Sequence, residues 1–388
     1  MRDMFNERGA TPQERIRIIG VGKAGCSVVD CIVERWENRL ATVAVHTHEK
    51  ILAASMAPVR LQIGAAVAKG MGAGGDPEIG KRAAEDDAEL LRNILIDTDI
   101  AFLVAGLGGG TGTGVLPAMV KMARDAGVLT LCFVTTPFEF EGDSRKARAE
   151  RGLDELIGLA DITVVIPNQQ IFEATGGNAS LKDAFSHADQ ALSTGVYAIW
   201  QLVSRHGLIN VDFADLQSLA RHTGGACGLA HGQASGPDRA ASAARAALEC
   251  PMLQRETVAQ SAALLVSVVG SRDITLREIN EITGTVSAAA GKGAHIFMGA
   301  TIDADLTDSV LVTIVVSRHW EQEQAPELAS APIAGRKHGR KQKAQATQTD
   351  LALMAMRKGR FKDVEPTIYQ GEDMDVPTFI RKGIIVEK

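Results

Sequence analysis

The chain of 388 residues has few cysteines, and none of them stands in a metal-binding arrangement. Cys26, Cys31, Cys132, Cys227 and Cys250 are scattered, with no Cys-x-x-Cys and no Cys/His spacing suited to zinc. They read as reduced cytosolic thiols. Long hydrophobic runs are also missing. Nowhere do about 18 uncharged apolar residues follow one another, and no apolar stretch backs the charged N-terminal segment. Neither a membrane span nor a signal peptide is expected. Basic charge is not in excess: 41 Lys and Arg against 47 Asp and Glu give a net charge of -6, which argues against nucleic acid as a partner of the whole surface. No GxxxxGK[ST] occurs, so the P-loop way of holding phosphates is excluded.

Glycine is what the sequence has in excess, at 39 residues, and its placement follows a pattern. IRIIGV at 16–21 is a β-branched run ending near glycine, and the periodic stretch 27–36 after it reads as a helix. The unit recurs. AFLVAG at 101–106 leads into a glycine loop and a helical stretch at 115–125, and VLTLCFV at 128–134 and ITVVIP at 162–167 give further strands. Strands alternating with helices predict a doubly wound, largely parallel α/β sheet that binds a ligand at the carboxyl ends of its strands.

These signals divide the chain into a flexible segment 1–15, a nucleotide-binding domain 16–180 and one long central helix 181–204. A second α/β domain follows at 205–318, with helices near 216–222, 237–248 and 275–290 and strands ALLVSVVG, HIFMGATI and SVLVTIVVS. From 319 to 364 the composition shifts to Glu, Gln, Ala, Lys and Pro and reads as a solvated linker. Residues 365–388 regain apolar character.

Two glycine motifs compete for the ligand. Gly20-Val-Gly22-Lys-Ala-Gly25 matches GxGxxG between a strand and a helix, which admits a dinucleotide site and a nicotinamide-dependent dehydrogenase. The acid that would hold a ribose is late, however: the next strand ends in His46-Thr47-His48-Glu49. Residues 106–114 read Gly-Leu-Gly-Gly-Gly-Thr-Gly-Thr-Gly, with six of nine positions lacking a Cβ. Consecutive amides ahead of a helix N-terminus make an anion cradle suited to a di- or triphosphate.

GGGTGTG is the signature of the tubulin/FtsZ superfamily, and residues 16–317 resemble its FtsZ branch. The supporting segments, in family order, are GMGAGGDPEIG at 70–80, TTPFEFEG at 135–142 with Arg145, Ile166-Pro167-Asn168, Ala184-Phe185 with Asp189, and GLINVDFAD at 207–215. The end, from Asp375 to Gly383, resembles the short peptide by which FtsZ binds membrane-tethering partners. The resemblance implies a GTPase that assembles head to tail into filaments at the division site in the cytoplasm. GTP or GDP would be the bound nucleotide, accompanied by Mg2+ without a dedicated metal site. The phosphates would be wrapped by Gly108, Gly109, Gly110, Thr111, Gly112, Thr113 and Gly114, by Ala73 and Gly74, and by the first glycine turn with Gly22, Lys23, Ala24, Gly25 and Ser27. Thr135, Glu141 and Arg145 would line the ribose and phosphate side, and Asn168, Phe185 and Asp189 would select guanine. Asn210, Asp212 and Asp215 would be catalytic, entering the nucleotide site of the next subunit.

The chain departs from the family at Lys23, Ala24 and Ser27, where more glycine and an asparagine are usual. It also has His46-Thr47-His48 in place of Asn-Thr-Asp, and Gln169 in place of an acid. The histidines put the hydrolysis rate in question, and a filament scaffold with slow hydrolysis is the alternative reading.

Overall fold

Apolar, β-branched segments pair as strands because their side chains suit a pleated surface buried on both faces. The computed structural model describes residues 15–36, 40–174, 180–204, 207–209, 211, 213–223, 225–253, 255–320, 368–369 and 372–373. β1 (Ile16–Val21), β2 (Thr42–His46), β3 (Val59–Gln62), β4 (Ile100–Gly106), β5 (Leu129–Thr136) and β6 (Ile162–Pro167) are parallel neighbours in the order 3-2-1-4-5-6. That order reverses between β1 and β4, which opens a crevice at their carboxyl ends. The connecting helices are α1 (Gly22–Trp36), α2 (Glu49–Ala54), α3 (Ala65–Ala68), α4 (Pro77–Asp86), α5 (Ala88–Asn93), α6 (Gly110–Asp125), α7 (Asp143–Ile157) and α8 (Asn168–Ala174).

The long helix expected at 181–204 is α9 (Leu181–Ser204). Beyond it come α10 (Phe213–His222), β7 (Ala226–Ser235), α11 (Arg239–Leu248), α12 (Arg255–Ala259), β8 (Ala263–Gly270), α13 (Leu276–Ala289), β9 (His295–Ile302) and β10 (Ser309–Ser317). The two halves share one sheet. β7 pairs in parallel with β6 at Thr163–Ala226 and Val164–Cys227 and antiparallel with β10, which leads on to β8 and β9. A single apolar cluster runs from Ile18 and Phe102 through Leu192 and Val196 of α9 to Val266 and Val312, while Leu103, Leu116, Met119 and Leu156 form a second one on the opposite face.

Strand β7 is absent from the sequence-based expectation, which has no strand between 167 and 263. Its residues, ACGLAHGQAS, are small for a physical reason. A Cβ on Gly232 would collide with the backbone carbonyl of Ala243 and the amide of Ala247, so α11 lies directly on the strand. The contacting face of α11 is likewise alanine, at Ala240, Ala243, Ala244 and Ala247, all buried.

His319 and Trp320, at the start of the segment read as linker, belong to the described body. Residues 324–388 form a separate unit, in which Ile368–Tyr369 (β11) and Glu372–Asp373 (β12) pair antiparallel. The peptide from Asp375 to Gly383 lies outside the described residues. Among the described residues no helix is long and apolar enough to cross a membrane.

Candidate functional site

The helix expected to begin at 115 begins at Gly110, so the glycine loop is itself a helix N-terminus. Gly108 turns the chain with φ +92°, and Gly109 caps α6 with no side-chain hydrogen bond. The first-turn amides of α6 therefore have no side-chain cap and carry the positive end of the helix dipole, the arrangement that binds anions. Space around the glycines divides them by task. A Cβ on Gly109, Gly74 or Gly75 would meet nothing within 4 Å, so these positions face open space. One on Gly114 would strike the Pro77 carbonyl, so this glycine serves the packing of α4 against α6. The glycines thus fall into two groups: those facing open space at the loop and those needed for helix packing just beyond it.

The threonines are engaged within the protein. Thr113 Oγ1 accepts from the Gly108 amide at 2.8 Å, which fixes the loop. Thr111 Oγ1 lies 2.7 Å from Thr47 Oγ1, joining the end of β2 to the start of α6. Gly22, at φ +74°, and Gly25 set the first turn against β4 and α6, with Ala24 beside Gly106; Ser27 is half-buried and Lys23 exposed. Ala73 is buried against Gly110.

A small recess of about 40 Å3 at the other end of the site is lined by Ala24, Thr135, Glu141, Arg145, Asn168, Phe185 and Asp189, together with Leu107, Pro137 and Ala188. Asn168 is buried and its Oδ1 has no hydrogen-bond partner, so an acceptor is left for a ligand donor. Phe185, 39% exposed, presents a ring edge-on to Phe138 at 5.0 Å. Glu141 and Arg145 hold each other at 2.8 Å, and the second Glu141 oxygen accepts from the Phe138 amide at 2.9 Å. Burial pushes the Asp189 carboxyl up to about 7, with Lys23 opposing the shift and Asp30 adding to it. Lys23 therefore acts electrostatically on this recess as well as lying at the first glycine turn. Gln169 accepts from the Glu139 amide and donates to Glu173, two bonds local to the rim.

His46 and His48 brace the 70–75 loop. The His48 amide donates to His46 Nδ1 at 2.8 Å, His48 forms a β-bridge with Met71, and the Glu49 amide donates to the Gly70 carbonyl. This bracing is not legible in the sequence, because it depends on which loop the end of β2 meets.

A larger cleft, about 910 Å3, runs along α6 between α4 and α7 and reaches the glycine loops at Gly74, Gly75, Thr113 and Gly114. Of the three acids and amides expected to be catalytic, Asn210 and Asp212 lie outside the described residues. Asp215 is in the first turn of α10 and lines neither cavity. Among the described residues no three His, Cys, Asp or Glu side chains converge as a metal site.

A doubly wound sheet with a glycine-built helix N-terminus at its switch point, and a recess with an amide and a carboxylate beside it, defines a nucleotide-binding protein of the α/β class. Residues 15–176 match the family described as "Tubulin/FtsZ family, GTPase domain", and residues 225–318 match "FtsZ family, C-terminal domain". The chain is 37% identical over 315 residues to the Cell division protein FtsZ of Coxiella burnetii, covering 81% of each. It is 38% identical over 303 residues to that of Bartonella bacilliformis, covering 78% of this chain and 51% of that relative. A solved, empty FtsZ dimer of M. jannaschii is 36% identical and superposes with a TM-score of 0.74 over 79% of this chain and 88% of its own. The chain belongs to the FtsZ branch of the tubulin/FtsZ family and is a GTP-binding GTPase.

Proposed function

We propose that this protein binds GTP with its phosphates over the N-terminus of α6 and the 70–75 loop, assembles head to tail with copies of itself, and hydrolyses GTP where two copies meet. The family and the names of its relatives support a role in cell division, in the cytoplasm at the division site. The observation that carries the reading is the division of the site. The phosphate cradle and base recess lie in one half of the chain, whereas Asp215 is in the first turn of a helix of the other half and lines neither cavity. An acid needed beside the γ-phosphate then comes from a second copy. Such a heterologous contact does not close on itself and generates a filament.

In this reading Asn168 and Asp189 accept from the N1 and N2 donors of guanine, and Phe185 lies against the base. Glu141 and Arg145 exchange their mutual ion pair for the ribose and a phosphate. Asn210, Asp212 and Asp215 orient and polarise the attacking water of the neighbouring site. Mg2+ would be held mainly through phosphate oxygens and water. The segment from Asp375 to Gly383 would dock on membrane-tethering division proteins.

The reading is tested by measuring GTP turnover and light scattering against protein concentration. Both should rise beyond one shared threshold, and Asp212→Ala should scatter normally while losing turnover. Hydrolysis linear in protein, together with wild-type turnover in Asp212→Ala, would sink it.

Asp189 gives the base recess a pH dependence of definite sign. Guanine needs the ionised carboxylate, so binding pulls its pKa down from about 7, and GTP affinity rises with pH. Between about pH 6 and 8 the ionised fraction, and with it the affinity, should rise about tenfold. Titration with a fluorescent GTP below the assembly threshold measures this, with Asp189→Asn giving a flat profile. A flat profile in the unmodified protein would remove Asp189 from base recognition.

A further inference from the structure

The last described residues of the body carry a stack of rings that the nucleotide site does not use. Trp320 lies between two imidazoles. Its ring is 4.5 Å from that of His222 at 13° and 4.2 Å from that of His295 at 18°, and Phe297 flanks the stack at 6.0 Å. His222 is the final residue of α10 and His295 the first of β9. The stack therefore joins the end of one element to the start of another through an indole contributed by a third segment.

His222 and the chain leading to Trp320 are each held from behind. His222 Nδ1 donates to the Ser218 carbonyl at 2.6 Å, one turn back along α10. The backbone leading to Trp320 is fixed where Ser317 Oγ accepts from the His319 amide at 3.2 Å and donates to the His319 carbonyl at 2.9 Å. Gly225 leaves room for this course, since a Cβ there would come within 2.7 Å of the His319 ring.

The opposite end of the same segment is pinned to the same strand. The Leu208 and Ile209 amides donate to the Ala300 carbonyl at 2.8 and 3.2 Å, and the Ala300 amide donates to the Ile209 carbonyl at 2.9 Å. Leu208 and Ile209 at one end and His222 at the end of α10 are thus both fixed to β9, by backbone hydrogen bonds at Ala300 and through the stacked rings at His295. Asp215 lies between these fixings, in the first turn of α10. Backbone bonds locate the start of the segment, buried Leu216 and Leu219 seat α10 on the core, and the ring stack adds a fixing at its far end.

We propose that Trp320 is a positioning residue for GTP hydrolysis, whose stack with His222 and His295 helps hold α10 so that Asp215 meets the neighbouring subunit in register. The inference rests on the reading that Asp215 helps complete the next subunit's site. It makes the point where the chain leaves the body part of the catalytic geometry, without any contact to nucleotide.

The test uses the full-length chain with Trp320→Ala, Trp320→Phe and His295→Ala, the last removing one face of the stack from an exposed position. Misplacement of a catalytic group by a distant change costs up to about a hundredfold, and a tenfold fall in turnover per assembled subunit is expected for both alanine variants at saturating GTP. GTP affinity, and the assembly threshold with a slowly hydrolysed GTP analogue, should stay within twofold. Trp320→Phe, which still stacks, should recover most of the turnover. If Trp320→Ala does not fold, His295→Ala carries the same comparison. Turnover within twofold of the unmodified chain in the folded alanine variants overturns the proposal. So does a loss matched by equally weaker GTP binding or assembly, which would mark a merely structural role. Asp215→Ala is measured alongside. Unchanged turnover there means that the shared-site reading itself fails, whereas lost turnover there with normal Trp320→Ala and His295→Ala overturns only the role of the stack.

Discussion

Arg239→Ala should lower the unfolding free energy by about 2–3 kcal/mol, the cost of losing charge-assisted hydrogen bonds to a partly buried carboxylate. Arg239 opens α11, and its side chain is only 5% exposed. Nε and Nη2 reach the two oxygens of Glu278 at 2.7 and 3.4 Å, while Nη1 contacts Asp273 at 3.0 Å and both Asp308 and Ser271 at 3.1 Å. Glu278 is at the same time the acid of a capping box, accepting from the amide and hydroxyl of Thr275 at 2.8 Å. One guanidinium therefore ties the start of α11 to the start of α13 and to the turn before β10. Hydrogen bonds to Glu278 lead the causes that hold the guanidinium pKa above its ordinary value, and Arg239 in return holds Glu278 low. Asp273 and Asp308 are largely solvated and lose little when water replaces the cation. Glu278 is the partner that decides the magnitude. Arg239→Lys keeps the charge but not the fork, so its loss should fall between alanine and the unmodified chain. Urea unfolding of the nucleotide-free protein measures both, and a loss under about 1 kcal/mol for alanine would reduce the cluster to an ordinary surface network.

Nothing in the sequence marks Arg239, whereas much of the surrounding fold is legible. β1, β6, β8, β9 and β10 lie where β-branched runs predict them, because such runs have few other stable conformations at this length. Helix α9 follows from one apolar stripe repeated over 24 residues. β7 escapes because its identity lies in what packs on it: a strand of alanine and glycine is recognisable only beside a helix with an alanine face. The start of α6 at Gly110 is hidden for the opposite reason. Glycine disfavours a helix locally, but here it is required by the approach of α4, a tertiary demand that overrides propensity.

The site is legible in the same uneven way. Residues 108–114 announce an anion cradle through backbone alone, and the open space around Gly109, Gly74 and Gly75 agrees with that. The roles of Asn168, Phe185 and Asp189 come from family resemblance, since each residue taken singly also fits an ordinary core or rim position. The geometry adds that they are placed together: a buried acceptor without a partner, a ring and a carboxylate line one recess, as the proposed reading requires. The brace formed by Thr47 on Thr111, and by His48 on the 70–75 loop, required the folded chain to be seen.

Below about pH 6.5 that brace should cost the protein stability, through His46. The side chain is 5% exposed, and its Nδ1 accepts the His48 amide hydrogen, so the folded state requires the neutral ring with its proton on Nε2. Burial first, and the neighbouring His48 second, bring its pKa down to about 4. The unfolded chain, with an imidazole near its ordinary value, then binds more protons between pH 6.5 and 4. Stabilisation by the neutral His46 is complete above the unfolded pKa and is lost progressively as pH falls through that window, to a total of about 3 kcal/mol. In His46→Asn, Oδ1 can replace Nδ1 as acceptor for the His48 amide but does not titrate. Stability of this variant at neutral pH should lie within about 1 kcal/mol of the original, and the difference between the two proteins should close or invert toward pH 4.5. Urea midpoints taken across the range without nucleotide isolate this term, because the carboxylates contribute equally to both chains. GTP affinity should follow the same course, falling faster with acid in the original than in His46→Asn, since protonation of His46 releases the His48 amide that steadies the loop at Gly70 to Gly75. Parallel acid limbs in the two proteins would mean that His46 stays neutral at no cost, and that the residues standing in place of the family's amide and acid have no part in its pH dependence.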